Sequence, residues 1–381
     1  MKTLKKLLVL CVALACLVSC DGFWASVFFD IRDKGWEVLG EPDVSEGGMQ
    51  SYSLDISADD EIYVAYHQMI WADVGPSSNV IYVKRLTGDS WQQVGTTIEM
   101  PNIPHFVFCL DGNGDPVCAY PSDAIGGIAC VRWVGGAWQQ IGSLSLTSCI
   151  PNALALGPTG TLYLAYEDAT DEYRITVQAF NGAWSVLDDA YLLPAGSYDG
   201  WKVCLAPADD GSVYLGLQGH GVDTLSVFQY DGANWGEIGS VLSTGYAHDI
   251  SIAPTSVPDC IYVLYGDSGA VDGDTLLTYY NGTIWSDLST GMTDGESEPG
   301  EVALDADGNP IVVYTDFEIE NELNVMRRAS GTWSAMGEKG FTYGDVAQMS
   351  QIELMADGTP VIAYEAVGHS HYLTVMRYSG E

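Results

Sequence analysis

The sequence has little positive charge. Fourteen Lys and Arg stand against fifty-one Asp and Glu, a formal net charge of −37. So acidic a surface repels phosphate backbones, which excludes nucleic acid as a partner. Beyond the first residues no run of eighteen apolar residues occurs, so nothing further along reads as a membrane-spanning helix. No Cys-x₂-Cys pair is present, which removes support for a zinc knuckle. Walker, dinucleotide-binding and Gly-x-Ser-x-Gly patterns are missing too, and with them the commonest nucleotide and hydrolase chemistries. No stretch of ten residues after the N-terminus carries helical periodicity. What remains is alternating, turn-punctuated β sequence.

The N-terminus reads as an export address. Lys2, Lys5 and Lys6 precede the apolar run Leu7 to Leu17, about the length of a signal core and too short to span a bilayer. Leu17-Val18-Ser19-Cys20 follows. This resembles the bacterial lipobox, which implies cleavage before Cys20 and acylation of that residue. Residues 1–19 are then a signal peptide, 20–34 a lipid-anchored tether and 35–381 the folded domain. The tether is aromatic, with Phe23, Trp24, Phe28 and Phe29. Acyl chains at about 0.8 kcal/mol per buried CH₂ make a stable anchor. The expected place is the cell envelope, facing periplasm or exterior, with the membrane contacted through Cys20.

An internal repeat settles the architecture. Trp36, Trp91, Trp138, Trp184, Trp235, Trp285 and Trp333 recur at spacings of 55, 47, 46, 51, 50 and 48 residues. Between them runs a constant order. A short alternating strand such as Val302-Ala303-Leu304 leads into a turn rich in Asp and Gly, Asp305 to Pro310. A β-branched and aromatic strand ending in Tyr comes next, as in Ile62 to Tyr66, Leu162 to Tyr166 and Ile261 to Tyr265. A polar loop, a third strand and a tight Gly turn precede the Trp strand. Four short antiparallel strands per repeat describe a propeller blade. The count predicts an all-β, seven-bladed β-propeller. The last repeat ends at a third strand, Val375 to Tyr378, and the missing fourth lies at Trp36 to Gly40. The ring is therefore expected to close by the N-terminal strand joining the last three. The recurrent Trp is expected between blades, where truncation, for example at Trp138, costs about 3–5 kcal/mol.

Asp305 to Tyr314, Asp231 to Trp235 and Asn281 to Trp285 carry a pattern that resembles exported bacterial propellers. More distantly the repeat is similar to kelch and sialidase-type propellers. It departs from both, without a Gly-Gly doublet after the second strand and without a Ser-x-Asp-x-Gly-x-x-Trp box. The resemblance implies the fold and leaves activity to the site.

Loops between second and third strands, and those joining blades, share one face, where ligands bind. His67, His105, Glu167, Trp201, His248, Asp316, Glu365, His369 and His371 are the candidate residues of that face. His67, His105, His369 and His371 fall on neighbouring blades and, with Glu365, form a candidate metal set. Asp111, Asn113 and Asp115 have the alternation of a calcium loop but lack its twelfth-position Glu. A divalent cation is the one cofactor these residues admit. Cys109 and Cys118 flank a turn symmetrically, so they either pair across a hairpin or remain buried thiols. Arg85, Arg327 and Arg377 share a register, expected to serve contacts between blades rather than a sialidase-like Arg cluster. The reading is a lipid-anchored extracytoplasmic scaffold for a protein or glycan. The alternative is a carbohydrate-active hydrolase or lyase, metal-dependent or carboxylate-based. Oligomeric state is not legible in the sequence.

Overall fold

The computed structural model describes residues 35–380 apart from 42, 46–47, 71–77, 102–104, 145–148, 169–173, 188–197, 220–223, 240–241, 244, 269–273, 343–345, 347–349 and 368–370. The signal peptide, Cys20 and the tether lie outside the described residues.

Seven antiparallel sheets follow one another along the chain. Blade 1 is built from Ser51–Ile56, Ile62–Ile70, Ser78–Thr87 and Ser90–Gln93, with Ile98–Met100 added beside its third strand. Blade 2 holds Val107–Leu110, Pro116–Ser122, Gly127–Val134 and Ala137–Gln140. Blade 3 holds Cys149–Leu156, Leu162–Asp168, Arg174–Phe180 and Trp184–Val186. Blade 4 holds Tyr198–Pro207, Val213–Gly219, Leu225–Tyr230 and Trp235–Glu237. Blade 5 holds Ala247–Pro254, Cys260–Asp267, Asp274–Asn281 and Trp285–Asp287. Blade 6 holds Ser297–Leu304, Pro310–Asp316, Glu322–Ala329 and Thr332–Ala335. Blade 7 takes Gln351–Leu354, Pro360–Ala366 and Tyr372–Tyr378 from the C-terminus and Trp36–Val38 from the N-terminus.

A lone blade leaves both faces wet, and stacking covers them. Second strands therefore read apolar on both sides: every residue of Pro310–Asp316 is buried. The core is divided into seven apolar clusters, each drawing on two adjacent blades. First strands touch first strands all the way round, including blade 7 against blade 1. The circle is therefore closed.

Closure follows the sequence expectation. Trp36 pairs with Tyr378, Glu37 with Arg377 and Val38 with Met376. The zipper continues past the strand, through Leu39 N–H to the Val375 carbonyl and Val44 N–H to the Leu373 carbonyl, both 2.9 Å. Trp36 is fully buried and stacks on Phe341 of the preceding segment at 4.7 Å.

The recurrent Trp is a clamp between blades. The indole N–H donates to a carbonyl just beyond the fourth strand of the preceding blade. Trp36 bonds Met336, Trp91 bonds Leu39, Trp184 bonds Ile141, Trp235 bonds Leu187 and Trp333 bonds Leu288, each at 2.8 Å, and Trp138 bonds Thr96 at 2.9 Å. Trp285 makes no such bond among the described residues. Only Trp36 is fully buried, and the other six are half-buried at the outer rim. The cost expected for Trp138 is thus too high, because much of its indole is already wet; about 1–3 kcal/mol fits its place better.

In five of the seven repeats a Gly stands four residues after the clamp Trp, and it has its own reason. Gly142 sits at φ +62, and a Cβ there would lie 2.8 Å from Trp184 of the next blade. Gly88 has a similar φ of +60 with open space around it. Gly142→Ala is expected to cost about 1–3 kcal/mol more than Gly88→Ala in thermal unfolding, the difference measuring the clash rather than the backbone strain.

The two cysteines are buried thiols, and the expected role of the Arg residues needs correction. Cys109 pairs with Val117 and Cys118 with Phe108, so the two thiols point to opposite faces of blade 2. Cys109 packs toward blade 3, Cys118 toward blade 1, and both are free. The Arg residues act within blades rather than between them: Arg85 with Glu61, Arg132 with Asp111, Arg327 with Asp305 and Arg377 with Glu37. The calcium-like turns belong to the same device. Asp111 accepts from the Asn113 and Asp115 N–H groups with one oxygen and from Arg132 with the other. Asp305 does likewise with Asp307, Asn309 and Arg327.

Candidate functional site

The antiparallel order places the ends of second strands, the starts of third strands and the starts of first strands on one face. On that face, blades 5 and 6 build a polar group around His248. The first strand of blade 5 slips register between His248 and Ser251, and that of blade 6 between Pro299 and Val302. Such bulges re-aim side chains. Asp249, inside the first slip, takes φ 48, a left-handed conformation that a short acid tolerates.

The imidazole of His248 lies over Gly266, its cross-strand partner. A Cβ at Gly266 would fall 2.1 Å from His248 Cε1, so no other residue leaves room for this ring. His248 Nδ1 stands 3.1 Å from Asp249 Oδ2 and 3.2 Å from Glu298 Oε1. All three side chains are mostly covered, at 12, 21 and 13% exposure. Burial by itself lowers the His248 pKa; the hydrogen bonds and charges of Asp249 and Glu298 outweigh it and push the value up to about 9. At neutral pH the ring is a cation between two carboxylates. Tyr246 is exposed, its ring 6.2 Å from the imidazole. Among the described residues this is the one set of His, Cys, Asp or Glu side chains that brings three ligand atoms within 4.8 Å of each other.

The other described candidates lie at the ends of second strands or just before first and third strands. His67 is fully buried at the end of a second strand, its Nε2 3.0 Å from Asn79 Oδ1. Burial lowers its pKa, and burial plus the nearby His67 lowers that of His105, so both rings are neutral at physiological pH. His371 Nδ1 meets Glu365 Oε1 at 2.6 Å, and burial raises the Glu365 pKa. His67 and His105 are thus neighbours, and His371 is matched with Glu365. His369 lies outside the described residues, and so does the side chain of Trp201, whose backbone belongs to blade 4. Glu167 is half-buried, opposite Ile150. Asp316 is buried with both oxygens engaged, by Asn324 Nδ2 at 2.7 Å and the Glu318 N–H at 2.9 Å; it braces the blade 6 loop.

Sequence reasoning missed Asp249 and Glu298. One signal was available. The residue after the Tyr that closes the second strand is His67, Glu167, Thr315 or Glu365 in four blades, but Gly266 in blade 5. A Gly where a side chain is usual marks a ring that needs the space.

No protein-family model and no curated protein matches the chain. Solved structures do. The β-propeller domain of the Trilobed protease from Pyrococcus furiosus aligns with a TM-score of 0.57 at 10% identity, over 88% of this chain and 96% of that one. The extracellular domain of a putative hybrid two-component system from B. thetaiotaomicron aligns at 0.57 and 12% identity, over 90% of this chain and 39% of that one. YCF48, solved bound to D1 peptide, aligns at 0.53 and 13% identity, over 91% and 97%. At these identities the likeness is one of fold: the chain is a seven-bladed, four-stranded propeller.

Proposed function

We propose that the chain is an exported, lipid-anchored propeller that binds a protein or glycan ligand on its loop face, outside the cytoplasm. The observation that carries this reading is a division of labour. The recurrent residues serve the scaffold: six of the seven Trp bond the preceding blade, and the Arg–acid pairs brace single blades. The residues that break the repeat, His248, Asp249, Gly266 and Glu298, gather on the loop face beside an exposed Tyr246. Aromatic planes next to carboxylates suit sugars and cationic peptides. A propeller of this fold solved with a bound peptide makes the peptide case concrete.

Two measurements test it. Metabolic labelling with a fatty acid is expected to mark the wild-type chain and not Cys20→Ser; labelling of neither removes the anchor. A glycan array and a cationic-peptide library, probed with the full-length chain in detergent, are expected to give a ligand whose affinity falls as salt rises and falls further in Glu298→Gln. Binding that ignores both would place the ligand elsewhere. The second reading, a carbohydrate-active enzyme, is favoured by the same His–carboxylate group and would show as cleaved glycan on the array.

A further inference from the structure

We propose that His248, Asp249 and Glu298 hold one divalent first-row metal ion, of the Mn²⁺ to Zn²⁺ class. The inference stands apart from the lipid anchor and from the identity of any organic ligand.

The donor set fits. Two metal–ligand bonds of about 2.1 Å, set at octahedral to tetrahedral angles, leave their donors about 3.0–3.4 Å apart. His248 Nδ1 lies 3.1 Å from one carboxylate oxygen and 3.2 Å from the other. One imidazole and two carboxylates select a borderline cation over calcium, which takes oxygen ligands almost exclusively. The three donors come from two blades, so the ion would tie blade 5 to blade 6 and keep coordination positions free for water or a ligand oxygen.

A second observation points to the same place. Gly266 pairs with Thr275 on its other side, and directly opposed residues of antiparallel strands face one way. Thr275 therefore shares the sheet face on which the His248 ring lies. Its hydroxyl is buried and has no hydrogen-bond partner among the described residues. A buried hydroxyl in that position asks for a partner, and a hydrated ion beside His248 supplies one. The backbone adds its own evidence of construction, with a bulge, a left-handed Asp249 and a Gly that no side chain can replace.

Metal and proton compete for one atom. Nδ1 faces both acids, Asp249 and Glu298. A metal ion at Nδ1 takes the place of a proton there, so affinity rises with pH.

The test uses the full-length chain, stripped with a chelator and titrated with Mn²⁺ and with Zn²⁺ by calorimetry in two buffers of different ionisation enthalpy. The expected result is one ion per chain with about one proton released. Pulsed EPR of the Mn²⁺-loaded wild type is expected to show coupling to one imidazole nitrogen. Glu298→Gln is expected to weaken binding about tenfold or more, while Glu99→Gln, at an exposed carboxylate of blade 1, leaves it unchanged. Absence of a stoichiometric ion, a bound Mn²⁺ with no nitrogen coupling, or wild-type affinity in Glu298→Gln would each overturn the proposal. The EPR arm needs no variant, so misfolding of a mutant cannot obscure the answer.

Discussion

Trp36→Ala is expected to destabilise the propeller by about 3–5 kcal/mol, the largest loss among the seven recurrent tryptophans. Three things are lost together. The side chain is fully buried, it stacks on Phe341, and its indole N–H bonds the Met336 carbonyl. It also sits on the strand that completes blade 7, opposite Tyr378. Ring closure couples residues more than 340 positions apart in sequence, and the loop entropy of that contact is repaid only if the N-terminal strand docks well. The effect is read from thermal unfolding of the full chain, with Trp138→Ala as the comparison. Equal losses at the two sites would show that closure has no special weight.

The second large effect concerns pH. Around the central axis, acids from consecutive first strands meet: Asp55 of blade 1, Glu301 of blade 6 and Glu353 of blade 7. Burial, with their mutual repulsion adding for Glu301 and Glu353, pushes Asp55 up to about 6, Glu301 up to about 7, and raises Glu353. Hydrogen bonds oppose the shift but do not cancel it. Glu301 accepts from the Ile352 N–H and from Gln351, while Gln351 accepts from the Leu54 N–H and Asp55 from the Leu110 N–H, each bond crossing to the next blade. The sign follows from proton counts. Between the ordinary carboxylate pKa, near 4, and about 7, the folded chain holds protons that the unfolded chain has released. Stability is full below that window and is lost as pH rises through it. Glu353→Gln is expected to flatten this slope and to make the protein more stable than wild type at pH 8. Denaturant unfolding at pH 5 and pH 8 measures it. A variant less stable than wild type at pH 8 would mean that the carboxylate is held for its bonds rather than tolerated at a cost.

The blade count and the closing strand were legible because both depend on local periodicity. A Trp every 46 to 55 residues reports a sheet whether or not its neighbours are known. What escaped was lateral geometry. Glu298 lies fifty residues after His248 and on another blade, and it reaches the ring only because each first strand slips its register nearby. Bulges leave little trace in a hydrophobic pattern. Symmetry about a turn left the pairing of Cys109 and Cys118 open, and a one-residue offset in register sends the two thiols to opposite sides of the sheet. The Arg residues were correctly placed in register with one another, but their partners were turn acids of the same blade.

All of this presupposes that the two ends of the chain lie side by side. Glu37 and Arg377 are register partners joined by an ion pair. Replacing both with Cys puts two thiols within the reach of a disulfide on adjacent strands, while the six cysteines of the described residues are free and mostly buried. Under mild oxidation the double variant should form one new intramolecular bond joining the N-terminal and C-terminal peptides, found by mass spectrometry, and should melt at a higher temperature than its reduced form. Free thiols at both positions in the folded, oxidised protein would mean the ring is open.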